Sequence, residues 1–474
     1  MATGGPRPRR FRRRALALAA ATALAATAAH GDAIDDYLAA EMTRRSIPGL
    51  ALAVARDGRV ESRSYGLAHV ETGSPVTDGS IFAVASLDKQ LTAAAVLAAA
   101  QAGRLGLDDP LARWVETPSA GVTLRHLLSH TSGLPDQVAG TIEGRSFTDY
   151  TTEQLLATVR GLTPVAPPGR RFLYSDAGFL LAQLATERAT GEPWWDFVRR
   201  ELFAPAGMTS VVSMTPGALL PGRVSAYTLD GEGRLARDRR LDLDFGPLYS
   251  DLGMTAADFA RWLAALDAGR PLTAASVAAM TEPARLADGA FAGEIFQWSR
   301  YGLGVGLDEF AGEPVVLHSG HSGVGFVRFP ARRLAVVVFT NLEHPAGSDP
   351  VGLALGVAGR LEPGLDLAAR APVAPRDPSR AAALRAVYQG LLAGGAEPGR
   401  FAPQLATVAW EGAGGLAGRA PRLGALARFE PIEERDVDGE PSLLARAVHE
   451  RGTIYLRAGF DAEGRITRLV WWHL

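Results

Sequence analysis

The chain has 474 residues, of which 47% are hydrophobic and 21% charged, with a formal net charge of −2 at pH 7. That balance belongs to an ordinary globular protein long enough for more than one core, and it excludes a disordered or collagen-like chain. Cysteine is absent, which removes thiol nucleophiles, thiolate metal sites and disulfides together.

At the N-terminus the basic stretch "RPRRFRRR" precedes "ALALAAATALAATAAHG". A basic region, a short Ala/Leu run and small residues around Ala26 to Ala29 predict a secretory signal peptide over residues 1–29. The apolar run is about 15 residues, short of the ~20 that span a bilayer, so no retained membrane anchor is expected. Arg9-Arg10 hints at twin-arginine export, but arginine is frequent throughout the chain. Removing residues 1–29 takes six arginines and no acid, leaving 43 basic against 51 acidic residues. Such a surface disfavours nucleic acid as a partner. The expected protein is exported, periplasmic or secreted, and acts on a small-molecule or peptide substrate. Its oligomeric state is left open.

Residues 49–70 alternate in polarity and turn at Asp57-Gly58, a hairpin signal. Residues 82–102 are apolar almost all round and predict a buried helix ended by Gly103. Short helical runs and Gly/Pro/Ser/Thr-rich loops fill 104–240. In 314–342, two β-branched runs flank "PARR" and predict neighbouring antiparallel strands; 351–361 predicts a closing helix. The sheet is therefore drawn from both ends of one unit, with a helical insertion between them. This gives a unit over 30–365 and a Pro-rich linker over 366–379, including "APVAPRDPS". A small α+β accessory domain follows over 380–474. It has a helix over 380–394 and then three or four strands divided by Asp438-Gly439, Arg451-Gly452 and "DAEG".

The chemistry starts from a compositional fact: of 49 Lys plus Arg, 48 are arginine and one is Lys89. Ser86-Leu87-Asp88-Lys89 has the spacing S-x-x-K. With Ser86 opening a helix, Lys89 lies one turn later on the same face. A hydroxyl at a helix N-terminus is favoured to develop negative charge. A neighbouring amine can relay a proton, whereas a guanidinium stays protonated. His126 and His130, four apart, offer a possible metal pair, but no Glu follows the first and no third ligand is evident. No metal and no cofactor are expected. "YGLGVG" (301–306) lacks the strand–turn–helix setting of a dinucleotide fingerprint.

Further stretches follow in order: "TLRHLLSHTSGLP" (123–135), "PPGRRFLYSDAGFLLAQLATERATG" (167–191), "LFAPAGMTS" (202–210) and "LHSGHSGVGF" (317–326). From about residue 34 to 361 the chain resembles the serine β-lactamase-like family of penicillin-binding proteins, class C β-lactamases, D-aminopeptidases and related esterases. The resemblance implies an α+β fold of the β-lactamase/transpeptidase type. In it an antiparallel sheet is flanked by helices, with a mostly helical subdomain. It implies that Ser86 is the acylated nucleophile, Lys89 its proton partner, and Tyr174 a base and leaving-group proton donor. His318-Ser319-Gly320 would stand at the K-T-G element. The oxyanion donors would be the backbone N–H groups of Ser86 and His321. His130, in the "HTSGL" run, is expected to hydrogen-bond a loop.

Two positions depart from the lactamase pattern. Asp176 stands where Asn is usual, accepts hydrogen bonds only, and is expected to pair with Lys89. That pairing keeps Lys89 charged, leaving Tyr174 to take the serine proton. His318 replaces a lysine whose permanent charge would meet a substrate carboxylate, and offers little charge at neutral pH. Both departures favour an ester or a D-amino-acid amide, ahead of a D-Ala-D-Ala-type carboxypeptidase or D-aminopeptidase and a weak β-lactamase. A non-catalytic exported binding protein on the same scaffold would be expected to have lost Ser86, Lys89 or Tyr174; none is lost.

Overall fold

The computed structural model describes residues 33–135, 152–214, 218–238, 252–293, 298–344, 347–406 and 414–474. The expected signal peptide, residues 1–29, lies outside the described residues. The main sheet has eight strands: β1 (Gly49–Arg56), β2 (Arg59–His69), β3 (Ser74–Pro75), β4 (Arg300–Tyr301), β5 (Gly306–Phe310), β6 (Glu313–Gly320), β7 (Val324–Phe329) and β8 (Leu334–Thr340). Their order is β3-β2-β1-β8-β7-β6-β5-β4, with every neighbouring pair antiparallel. The expected hairpin closes with Arg56 opposite Arg59. Asp57 and Gly58 both have positive φ, 49° and 81°, as a two-residue turn matched to strand twist requires. "PARR" forms the corner between β7 and β8, and β8 then pairs with β1, joining the two ends of the unit.

Every residue of β8 is buried because helices cover both faces of the sheet. Alternation sorts them: Ala335, Val337 and Phe339 face one core, Leu334, Val336 and Val338 the other. The second core contains α1 (Ala33–Arg45) and α5 (Pro350–Leu361). The first contains α2 (Asp88–Gln101), α3 (Asp176–Thr190) and α4 (Ala256–Asp267). Helix α2 runs through the middle of this lobe, buried from Asp88 to Ala99. Its alanines permit close approach: a Cβ on Gly304 would lie 2.4 Å from the Lys89 carbonyl oxygen. The helix expected over 82–102 starts six residues later, at Asp88, because Phe82–Ala83 pairs as a short strand with Gly253 and Met254. Ser86 sits in a short 3₁₀ turn, Ala85–Leu87, that feeds α2.

The C-terminal segment forms a four-stranded antiparallel sheet of β9 (Leu426–Val437), β10 (Glu440–His449), β11 (Gly452–Phe460) and β12 (Ile466–His473). On one face Leu443, Ala445, Ile454 and Leu456 pack with Leu384 and Val387 of α6 (Pro378–Leu392). On the other, Leu444, Tyr455, Val470 and Trp472 join the core beneath the main sheet. The connecting chain is also engaged: Leu367 is buried and the Val373 N–H donates to the Pro431 carbonyl at 2.8 Å. The architecture is α+β, an antiparallel sheet covered by helices on both faces with a second, smaller antiparallel sheet beneath it, as the resemblance implies.

Candidate active site

The turn that carries Ser86 is held in an unfavourable backbone state. Ala85 has φ 44°, a left-handed conformation that costs an alanine about 1–2 kcal/mol. It is buried against the end of β6. A Cβ on Gly320 would come 2.7 Å from the Val84 carbonyl oxygen and 3.3 Å from the Ala85 Cβ, so only glycine permits this approach. The Ser322 hydroxyl donates to the Ala83 carbonyl at 2.6 Å and stitches the same two segments together. Gly320 is thereby packed against the turn that carries Ser86.

One turn into α2, Lys89 is 1% exposed and donates from Nζ to Ser86 Oγ at 3.2 Å. The same nitrogen lies 2.6 Å from Asp176 Oδ1 at the start of α3, the pairing expected from the sequence. Burial opposes the lysine charge, but Asp176, then Tyr174 and Asp88, outweigh it and hold the pKa above the ordinary lysine value. Lys89 is therefore an ammonium at neutral pH.

Tyr174 completes the group. Its phenol faces Ser86 and Lys89, both of which favour its ionised form, and Lys89 Nζ stands 5.0 Å from its ring centre. Burial raises its pKa above 10; Lys89 opposes the rise and Asp176 adds to it. The loop after α2 places this tyrosine. His130, itself at φ 56°, accepts the Ser175 N–H at Nδ1 (3.0 Å), and its carbonyl takes the Leu173 N–H at 2.8 Å. Its ring stacks on Tyr174 with centroids 4.2 Å apart. Burial keeps His130 neutral, with Lys89 and His318 adding to the effect. His126 closes a capping box with Thr123 instead of joining it.

His318 occupies a wall of the site and does not project a charge. It is 1% exposed; Nδ1 faces the Ser319 carbonyl at 2.7 Å, so Nδ1 carries the proton and Nε2 accepts from the Tyr301 hydroxyl at 3.0 Å. Burial, reinforced by Lys89, lowers its pKa to about 3. Trp298 stacks on it at 4.7 Å and lies 6.3 Å from Tyr174. His321 points elsewhere, with Nε2 3.2 Å from Glu343 Oε2. Among the described residues, Asp238, His321 and Glu343 are the side chains whose metal-ligand atoms approach within 4.8 Å of one another.

The structure thus gathers Ser86, Lys89, Tyr174 and Asp176 into one contact network, with Gly320 packed against the serine turn. Sequence reasoning missed Trp298, Tyr301 and Ser322. Trp298 lies outside every quoted stretch, and Tyr301 and Ser322 lie inside two of them without being marked there, because each acts through a contact with a segment remote in sequence. The chemical capacity is that of a hydroxyl beside an ammonium and a phenol, with backbone N–H groups nearby for an oxyanion.

A family model described as Beta-lactamase matches residues 34–359. The chain is 31% identical over 188 residues to Penicillin-binding protein 4* of Bacillus subtilis (strain 168), covering 38% of this chain and 40% of that protein. It is 32% identical over 203 residues to Esterase EstB of Burkholderia gladioli, covering 39% and 51%. The chain therefore spans between two fifths and about half the length of these two relatives. D-aminopeptidases are also among the relatives. The solved octameric penicillin-binding protein homologue from Pyrococcus abyssi superposes with a TM-score of 0.61 at 20% identity, covering 93% of this chain and 95% of that one.

Proposed function

The chain belongs to the beta-lactamase family of serine hydrolases, and from that premise we propose that it is an exported hydrolase acting through a Ser86 acyl-enzyme on an ester or a D-amino-acid amide. The observation that carries the reading is Lys89 Nζ, which reaches Ser86 Oγ at 3.2 Å and Asp176 Oδ1 at 2.6 Å and stands 5.0 Å from the Tyr174 ring centre. Tyr174, once deprotonated, accepts the Ser86 proton as Oγ bonds to the substrate carbonyl carbon. The N–H groups of Ser86 and His321 hold the oxyanion. The bond to the leaving alcohol or amine then breaks, and that group takes the proton from Tyr174. In the second half a water gives its proton to Tyr174 and attacks the acyl carbon. Ser86 Oγ departs and recovers that proton. Lys89 remains an ammonium throughout and stabilises the phenolate.

The electrostatics favour a neutral ester over a β-lactam or a D-Ala-D-Ala carboxylate. His318 is buried and neutral, Lys89 is engaged by Asp176, and so neither supplies the free cation a substrate carboxylate needs. EstB among the relatives is consistent with this preference. An amide bearing a D-amino-acid ammonium is the second substrate class, with which the D-aminopeptidases among the relatives are consistent. Export rests on the basic and apolar stretches of residues 7–29. No helix among the described residues is long and apolar enough to cross a membrane. The test is parallel turnover of p-nitrophenyl esters, D-aminoacyl anilides and nitrocefin by the native protein and Ser86→Ala. Serine-dependent ester or anilide hydrolysis exceeding nitrocefin hydrolysis supports the reading; nitrocefin as the best substrate overturns it.

A further inference from the structure

We infer a binding site for a divalent transition-metal cation of the Zn²⁺ or Mn²⁺ class at Asp238, His321 and Glu343. Sequence spacing pointed to no metal because the three residues lie on separate segments; the fold brings them together. Asp238 and Glu343 are 2% and 4% exposed, and the His321 ring faces them from a largely open position. Their ligand atoms all lie within 4.8 Å of one another. The His321 Nε2 to Glu343 Oε2 separation of 3.2 Å is the edge spanned by two metal bonds of about 2.1 Å meeting near a tetrahedral or octahedral angle.

The carriers of the three ligands are tied to one another by the backbone, so the group is assembled before any ion arrives. The His344 N–H donates to the His321 carbonyl at 2.9 Å, and the Glu343 N–H to the Tyr227 carbonyl at 2.9 Å. The Asp238 N–H donates to the Ala226 carbonyl at 3.0 Å. Glu343 is further oriented by the Thr228 hydroxyl, which donates to Oε1 and leaves Oε2 turned toward His321. That is the pattern by which outer-shell partners orient metal ligands. A divalent cation placed between the two buried side chains is attracted by both carboxylates. One imidazole with two carboxylates suits Zn²⁺ or Mn²⁺, with the remaining positions open to water on the exposed side. On the hydrolase reading, the ion clamps the ring of the residue whose main-chain N–H is the second oxyanion donor. The site itself does not depend on that reading.

The experiment is Mn²⁺ titration of the metal-stripped full chain, followed by electron paramagnetic resonance, with Zn²⁺ as competitor. One equivalent of Mn²⁺ is expected to be taken up and displaced by Zn²⁺. Affinity is expected to fall about tenfold or more in Glu343→Gln and in Asp238→Asn. No stoichiometric uptake, or uptake undiminished in both variants, overturns the inference. Should either variant fail to fold, the native protein decides the matter. The His321 ring resonances in nitrogen-correlated NMR must shift on adding Zn²⁺, and unmoved resonances overturn the site.

Discussion

Lys89, the single lysine of the chain, is buried with its Nζ 2.6 Å from Asp176 Oδ1. This ion pair decides which group can act as base. An ammonium held by a carboxylate has no lone pair to offer, so in the mechanism proposed above proton removal from Ser86 falls to Tyr174.

The first consequence is a pH profile. The Tyr174 phenol must lose its proton to act, and burial together with Asp176 holds its pKa above 10 despite Lys89. The active, deprotonated fraction therefore grows as pH rises, and kcat/KM for a p-nitrophenyl ester is expected to climb through the alkaline range. Asp176→Asn removes an anion facing the phenol, lowers its pKa and moves the rise to lower pH. A maximum below neutrality in the native protein would contradict the assignment.

Replacing the lysine separates charge from packing. Lys89→Met is expected to lower kcat/KM by about 10³-fold or more. It also leaves the Asp176 carboxylate without its partner, at a cost of about 1–3 kcal/mol. Lys89→Met combined with Asp176→Asn should regain most of that stability in denaturant melts while activity stays lost. Recovery of activity in the double variant would remove Lys89 from the mechanism.

The close approach of β6 to the serine turn gives a geometric test. Gly320→Ala places a Cβ 2.7 Å from the Val84 carbonyl oxygen and must push the two segments apart. A displacement of that kind is expected to cost about 100-fold in kcat with a smaller effect on KM. Ala85→Gly relieves a φ of 44° and should be tolerated or stabilising by up to about 1 kcal/mol. Melting curves and steady-state kinetics of the two variants read both effects.

Much of this arrangement is visible in the residues themselves. Asp57-Gly58 announces the hairpin, the β-branched runs around "PARR" announce β7 and β8, and the Ser86/Lys89 spacing and the acidic residue at 176 announce the ion pair. Other parts are not visible, for physical reasons. Nothing in the propensity of alanine suggests a left-handed Ala85; tertiary contact with Gly320 imposes it. The strands Phe82–Ala83, Val212–Ser213 and Leu252–Met254 are too short to carry a period. The neutrality of His318 depends on burial under Trp298 and on the Tyr301 hydroxyl, both set by the fold. The accessory segment reads as separate in sequence, yet Trp472 and Leu444 share a core with the main sheet.

The buried histidines predict acid sensitivity. His318 has its pKa lowered to about 3 by burial, against about 6.5 in an unfolded chain. Between those values the unfolded state binds a proton that the folded state does not, so stability is full above about pH 6.5 and falls as pH drops toward 3. His130, also held neutral by burial, adds to the slope. Denaturant melts from pH 8 to 4 should show a falling free energy. His318→Gln should flatten part of that slope; an unchanged slope would mean that the ring is not neutral where it lies.

The most direct test of the account is peptide-mapping mass spectrometry after reaction with a fluorophosphonate. A single covalent adduct is expected on the peptide containing Ser86, formed faster at alkaline pH and absent in Ser86→Ala. An unmodified Ser86 peptide, or labelling that persists at another residue in Ser86→Ala, would contradict it.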